Sequence, residues 1–235
     1  MNKEQERLLT MRKENKISEC DYQMLSNALN KKSIFADIEN SMLINPFQKI
    51  AGFKALILGL TLMLIMSILG VYGNIYYDGV FGYFVAESLK TTITPGFTLL
   101  LYQNIVACLS ITVIFLAVAI FFRQKNIRII DFFGTVALSR YPILISLLFT
   151  MLEKYLKPEN FIQDVSKGIE LHISIIGIIG HFVFFICLIW QIMTYFSALK
   201  EASGLQGKKL WTGFIIAIIL SDVIAGILTR FFFYS

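Results

Sequence analysis

Two opposite charges lie inside long apolar stretches of the chain. Arg140 is near the middle of residues 129–152, and Asp222 is near the middle of residues 210–233. Each stretch is long enough to cross a bilayer. Ionisable residues within membrane spans are rare, usually face the bundle interior and often mark function. The two residues are therefore interpreted either as a substrate, lipid-headgroup or proton site, or as a buried pair that fixes how the helices pack.

Depth in the membrane allows the two charges to meet. At a rise of about 1.5 Å per residue, both residues lie roughly 17–18 Å from the cytoplasmic surface. Pro142 follows Arg140 closely and cannot donate to the carbonyl of Leu138, which predicts a kink and a freed acceptor beside the guanidinium. We therefore predict that Arg140 and Asp222 form a polar pair near the midplane.

Other polar and small residues in the apolar stretches are candidates for lesser roles. His181 is either a proton relay or, more commonly for such a residue, a packed hydrogen-bond donor. Asp131, beside Arg128, is expected to form a solvated pair at the membrane surface. Small residues recur every four positions in the last stretch, at Gly213, Ala217, Ser221 and Ala225. This stripe predicts close helix packing inside the bundle, with homodimerisation as the alternative.

Signatures of enzymes and metal sites are absent from the sequence. It contains no Walker loop, G-x-S-x-G, H-E-x-x-H or dinucleotide fingerprint. The cysteines Cys20, Cys108 and Cys187 are widely spaced and form neither a disulfide framework nor a zinc pattern with the two histidines. We expect no catalytic residue, no metal and no cofactor.

Composition identifies a polytopic membrane protein. Hydrophobic residues make up 56% of the 235 residues and charged residues 16%, and the mean hydropathy is +0.68. Five stretches qualify as spans, at residues 53–72, 97–122, 129–152, 171–199 and 210–233. The expected fold is all-α with five transmembrane helices. The net charge of +5 comes mainly from the N-terminal segment and span ends, so nucleic acid is not an expected partner.

The links between spans predict the orientation. Residues 123–128 and 200–209 are rich in Lys and Arg, whereas residues 153–170 carry several acids. The positive-inside rule then places the N-terminus in the cytoplasm and the C-terminus outside. Residues 1–32 are hydrophilic, so we expect no cleavable signal and an uncleaved first span that directs insertion.

The N-terminal region predicts a small helical hairpin. Residues 3–14 read as a polar helix, and Ser18 with Asp21 suggests the N-cap of a second helix. We divide the chain into a cytoplasmic hairpin at 1–32, an amphipathic juxtamembrane connector at 33–46 and a five-span domain at 47–235. The hairpin is too small for much of a core, so a partner or an oligomer is expected.

Three segments resemble bacterial members of the Yip (Ypt-interacting protein) domain family. They are NPFQKIAGFKALILG at 45–59, DFFGTVALSRYPIL at 131–144 and LKEASGLQGKKLWTGFIIAIILSDVIAGIL at 199–228. The resemblance implies about five spans and a cytoplasmic N-terminus. Eukaryotic relatives bind Rab-type GTPases and carry an Asp-Leu-Tyr-Gly-Pro segment. Residues 131–135, Asp-Phe-Phe-Gly-Thr, stand in a comparable place here, and this departure argues against a GTPase partner. Residues 13–29 are similar to the SHOCT (short C-terminal domain) hairpin, which implies a role in oligomerisation.

These observations lead to one expectation about function and one alternative. We expect a non-enzymatic, multi-pass protein of the bacterial inner membrane that acts as a scaffold or accessory subunit of a membrane complex. Its expected partners are the lipid bilayer and either another membrane protein or further copies of itself. The alternative is a small transporter or permease that uses the midplane site of Arg140 and Asp222.

Overall fold

The computed structural model describes residues 3–14, 16–19, 21–27, 41–85, 94–122, 127–156 and 175–231. Helices dominate these residues, which confirms the predicted all-α class. The helices are α1 (Lys3–Lys13), α2 (Gly52–Gly73), α3 (Phe97–Phe121), α4 (Ile129–Leu138), α5 (Tyr141–Leu156), α6 (Ile175–Ser203) and α7 (Gly207–Phe231). Two short strands, β1 (Ile75–Asp78) and β2 (Gly82–Val85), lie between α2 and α3.

Five segments are long and apolar enough to cross a membrane, as predicted. They are Gly52–Gly73, Phe97–Phe121, Ile129–Leu152, Ile179–Ser203 and Gly207–Arg230. Large apolar side chains on their outer faces are exposed, for example Leu60 on α2 and Ile219 on α7. Such faces are stable only against lipid, so the chain is a multi-pass membrane protein.

The chain forms two compact units, residues 1–46 and residues 47–235. In the first unit, Ser18 Oγ accepts a hydrogen bond from the backbone N–H of Asp21 at 3.1 Å, which confirms the predicted N-cap. Arg12 on α1 forms an ion pair with Glu19 at 2.8 Å and stacks on the ring of Tyr22. Residues 33–40, which are most of the predicted amphipathic juxtamembrane connector, lie outside the described residues.

Helix pairs in the second unit approach closely where small residues face each other. Helix α2 packs against α4, α3 against α7, and α5 against α6. A Cβ added to Gly59 on α2 would collide with Ala137 on α4, and one added to Gly134 would lie 2.6 Å from the Gly52 carbonyl oxygen. Backbones therefore meet almost directly at this crossing, in the way that small residues permit in membranes.

A β-hairpin that the sequence analysis did not predict lies between the first two spans. Strands β1 and β2 pair antiparallel, with Tyr77 opposite Tyr83 and Asp78 opposite Gly82. Ile75, Tyr76 and Tyr77 are almost fully buried, and β1 contacts α2, α3 and α7. The hairpin is thus folded in among the helices and is not a polar surface loop.

Candidate functional site

Arg140 lies where the third span is interrupted. Helix α4 ends at Leu138, Ser139 and Arg140 form a turn, and α5 begins at Tyr141 with Pro142 in its first turn. Proline is favoured in the first turn of a helix, where no backbone donor is needed. The kink predicted from Pro142 is therefore present as a complete break between two helices.

The guanidinium of Arg140 reaches into a buried polar network. Arg140 is 1% exposed, and its Nη2 donates to Asn104 Oδ1 on α3 at 3.0 Å. The Asn104 amide in turn donates to Ser67 Oγ on α2 at 3.2 Å and to the Leu100 carbonyl at 3.1 Å. This network joins the broken span to two other helices near the centre of the bundle.

Helix α6 also contributes polar side chains to the network. Thr194 Oγ1 donates to the Ser139 carbonyl in the break at 3.1 Å. Gln191 Nε2 donates to the hydroxyl of Tyr195 at 3.1 Å and to the Val80 carbonyl at 3.5 Å. The polar side chains of α6 therefore contact both the break and the β-hairpin.

The predicted contact between Arg140 and Asp222 is not formed, and this expectation was wrong. Asp222 is half-buried on α7, and its Oδ1 accepts the backbone N–H of Val80 at 2.9 Å. Arg140 donates to Asn104 instead. The rise along a helix fixes depth, but rotation about the helix axis decides which way a side chain points. In addition, the sequence analysis did not predict the hairpin, whose Val80 N–H is the donor that Asp222 accepts.

Asp222 holds the tip of the β-hairpin inside the bundle. Gly79 has a φ of +62°, and a Cβ there would lie 2.6 Å from Asp222 Oδ1, so only glycine fits the turn without strain. Asp222 lies about 12 Å along α7 from Arg230, at a rise of about 1.5 Å per residue. Non-helical backbone at such depth requires protein partners for its polar groups, and the carboxylate supplies one of them.

Further contacts hold both strands of the hairpin. The Tyr77 N–H donates to Gln103 Oε1 at 3.0 Å, and its hydroxyl donates to the Met66 carbonyl at 2.7 Å. Burial raises the pKa of the Tyr77 phenol above its ordinary range, while the charge of Arg140 partly opposes that shift. Tyr83 on β2 shares hydrogen bonds with Ser146 at 2.6 Å and Thr150 at 2.8 Å. The hairpin is therefore bonded to α2, α3 and α5.

An ion pair anchors the hairpin at the end of α7. Arg230 Nε donates to Asp78 Oδ1 at 3.0 Å, and its Nη2 donates to Oδ2 at 2.5 Å. This two-point geometry is the strongest that arginine makes with a carboxylate. The Arg230 side chain is 64% exposed, so screening by solvent limits what the pair contributes.

The remaining sequence candidates lie apart from the Arg140 network. His181 is exposed on α6, and Asp131 is half-buried in the first turn of α4. The small-residue stripe of α7 is buried, and a Cβ on Gly213 would meet Val118 of α3 at 2.7 Å. The positions of Ala217, Ser221 and Ala225, each fully buried, agree with a helix-packing face inside the bundle.

Several network residues were missed by the sequence analysis. They are Ser67, Gln103, Asn104, Gln191 and Thr194, all buried within apolar spans. Adjacent amides such as Gln103 and Asn104 inside a span are costly in lipid and could have been recognised for that reason. The Asp78-Gly79 pair, flanked by aromatic residues, is likewise a strong hairpin signal.

Chemically, the network offers hydrogen-bond donors and one permanent positive charge. Arg140 Nε, Arg140 Nη1 and Gln103 Nε2 are buried and have no acceptor. Within the described ranges, no group of three or more His, Cys, Asp or Glu side chains converges to hold a metal. Comparison of the chain with protein-family models, curated proteins and solved structures gives no match.

Proposed function

We propose that the chain is a non-enzymatic membrane protein of the bacterial Yip type that acts as a scaffold or accessory subunit of a membrane complex. The observation that carries this proposal is the bonded hairpin. It fills the space among α2, α3 and α7 and is held by Asp222, Gln103 and Gln191. A core tied together in this way suits a fixed assembly surface better than an open passage.

The positions of the three segments that resemble the Yip domain family support the same proposal. Residues 45–59 and 131–144 supply the α2–α4 crossing, where Gly59 meets Ala137 and Gly134 meets Gly52. The second segment also contains the helix break at Arg140, and the third contains Asp222 beneath the hairpin. The resemblance thus falls on the positions that bring the helices together.

The scaffold role is tested by measuring whether the chain from native membranes is bound to another protein or to further copies of itself. We expect a tagged full chain, extracted in mild detergent, to have a mass well above its own 26.8 kDa, because it retains another membrane protein or further copies. Native mass spectrometry measures this. Deleting residues 1–32 should reduce the number of partner proteins or copies in the complex, and so its mass beyond the loss of the residues themselves, while leaving the melting temperature of the membrane domain unchanged. A single, partner-free copy in every extraction condition would contradict the proposal.

The proposed location is the bacterial inner membrane, with the N-terminus cytoplasmic and the C-terminus external. In a background without native cysteines, Lys208→Cys should react with an impermeant maleimide only after permeabilisation. Glu159→Cys, at a position outside the described residues, should react in intact cells. Labelling with the opposite pattern would overturn the orientation.

A transporter is the second candidate function. The interrupted third span and the unpartnered donors of Arg140 favour it, because broken helices near the midplane often bind substrates. In proteoliposomes, Arg140→Gln should then lower solute flux by tenfold or more, whereas Arg230→Gln should not. Equal flux in both variants would remove the basis for this candidate.

A further inference from the structure

Exposed positive charge is left unbalanced at the end of the bundle where α2, α4 and α7 begin. Five basic side chains are exposed there: Lys49, Lys54, Arg128, Lys208 and Lys209. Among the described residues, no ion pair includes any of them. At the opposite end, by contrast, the exposed Arg230 is paired with Asp78. The two ends of the spans therefore differ in how far the protein neutralises its own charge.

The first three of these side chains are gathered where α2 and α4 start together. A Cβ added to Gly52, the first residue of α2, would lie 3.4 Å from Asp131 Oδ1 in the first turn of α4. Lys49, Lys54 and Arg128 all lie within three residues of this contact. Three positive charges thus surround one carboxylate, and their net charge at this crossing remains positive.

The two lysines of α7 lie at the same end of the bundle. Gly70, near the end of α2, approaches Leu100 at the start of α3, so α2 and α3 run in opposite directions. Gly213, near the start of α7, approaches the ring of Phe122 just after α3. The start of α7 is therefore at the level of the start of α2, and all five basic side chains share one end of the spans.

Large apolar side chains directly beside the charges are also exposed. Phe53 precedes Lys54, Ile129 follows Arg128, and Trp211 is in the first turn of α7, and all three apolar side chains are more than half exposed. Aromatic residues of this kind lie at the boundary between headgroups and acyl chains. A cationic rim above an apolar surface complements a molecule that is anionic at one end and apolar elsewhere, which is the form of an anionic phospholipid.

We propose that this end of the bundle binds anionic phospholipid headgroups in preference to zwitterionic ones. The headgroup phosphates neutralise charges that the protein leaves unbalanced, and the acyl chains cover the apolar residues beside them. One basic side chain near an anionic surface favours binding by about fivefold. The preference does not depend on the scaffold role, because it concerns the lipid around the bundle and not what the bundle assembles with.

The test measures the lipid selectivity of the full chain in phosphatidylcholine vesicles that contain a small fraction of spin-labelled lipid. Electron spin resonance separates lipid held at the protein surface from bulk lipid, and it gives the association constant of phosphatidylglycerol relative to phosphatidylcholine. At low salt we expect a ratio of at least about two, averaged over sites that each prefer the anionic lipid by about fivefold. High salt should lower the ratio, because it screens exposed charges. A ratio of one at low salt would mean that these charges face water or an acidic protein, and the proposal would fail.

Variants locate the preference on the bundle. Lys54→Gln with Arg128→Gln should lower the ratio, and adding Lys208→Gln with Lys209→Gln should bring it close to one. All four side chains are exposed, so the melting temperature in neutral detergent should stay unchanged. Lys54→Arg with Arg128→Lys keeps the charges and should keep the ratio. Arg230→Gln removes a charge at the opposite end and should change the ratio far less. Native selectivity in the fourfold variant, or an equal loss in Arg230→Gln, would overturn the assignment.

Discussion

Arg140 and Asp222 have similar depths but opposite surroundings. Arg140 is fully buried at a helix break, bonds to Asn104 and retains unused donors. Asp222 is half-buried on an unbroken helix and accepts a backbone N–H from an inserted hairpin. One charge thus belongs to a network among helices, and the other holds non-helical backbone. Equal depth in a membrane is therefore not sufficient for two charges to pair.

The largest effect is expected when Arg140 loses its hydrogen-bond partner. Asn104→Leu should lower the free energy of unfolding by about 3 kcal/mol, because it leaves a buried charged donor without an acceptor. Chemical denaturation in mixed micelles measures the change. Thr112→Val on the same helix is the control, because it removes a local bond to the Cys108 carbonyl without stranding a charge. If both variants lose the same stability, Asn104 has no special role.

A smaller loss is expected at the hairpin turn. Gly79→Ala should cost about 2 kcal/mol, because a left-handed backbone disfavours a Cβ and this Cβ would also displace Asp222 from Val80. Gly204→Ala is a matched control with a φ of +69° and open space around it. The control should cost about 1 kcal/mol. Equal losses would show that the contact with Asp222 is unimportant.

The smallest loss is expected at the exposed anchor of the hairpin. Arg230→Gln should cost less than about 1 kcal/mol, because the Arg230 side chain is 64% exposed. The loss should shrink further in high salt, which screens exposed charges. Melting temperatures at low and high salt give the comparison. A large, salt-independent loss would mean that the pair with Asp78 is shielded from solvent.

The spans could be predicted from sequence because length and apolar composition determine them. The break at Arg140 could also be predicted from the sequence, because Pro142 restricts the backbone wherever it lies. The hairpin was missed because the search for spans treats the residues between them as surface links. The Asp78-Gly79 turn signal was visible in the sequence, but the burial of Tyr77 depends on helices distant in sequence.

The partners of Arg140 and Asp222 were the least predictable part of the site. Each depends on how a helix is rotated about its axis, and α3 and α7 are apolar on most sides. An amphipathic helix would have revealed its inward face through periodicity. In spans that are apolar all round, the inward face is set by contacts with neighbouring helices, which a single sequence does not contain.

A double-mutant cycle between Arg140→Gln and Asp222→Asn tests most directly whether the two charges belong to separate networks. Side chains without shared partners give additive changes in the free energy of unfolding to within about 0.5 kcal/mol. A coupling energy within that limit is expected, whereas the cycle between Arg140→Gln and Asn104→Leu should give more than about 1 kcal/mol. Substantial recovery of stability in the Arg140→Gln and Asp222→Asn double variant would contradict separate networks and restore the direct pair.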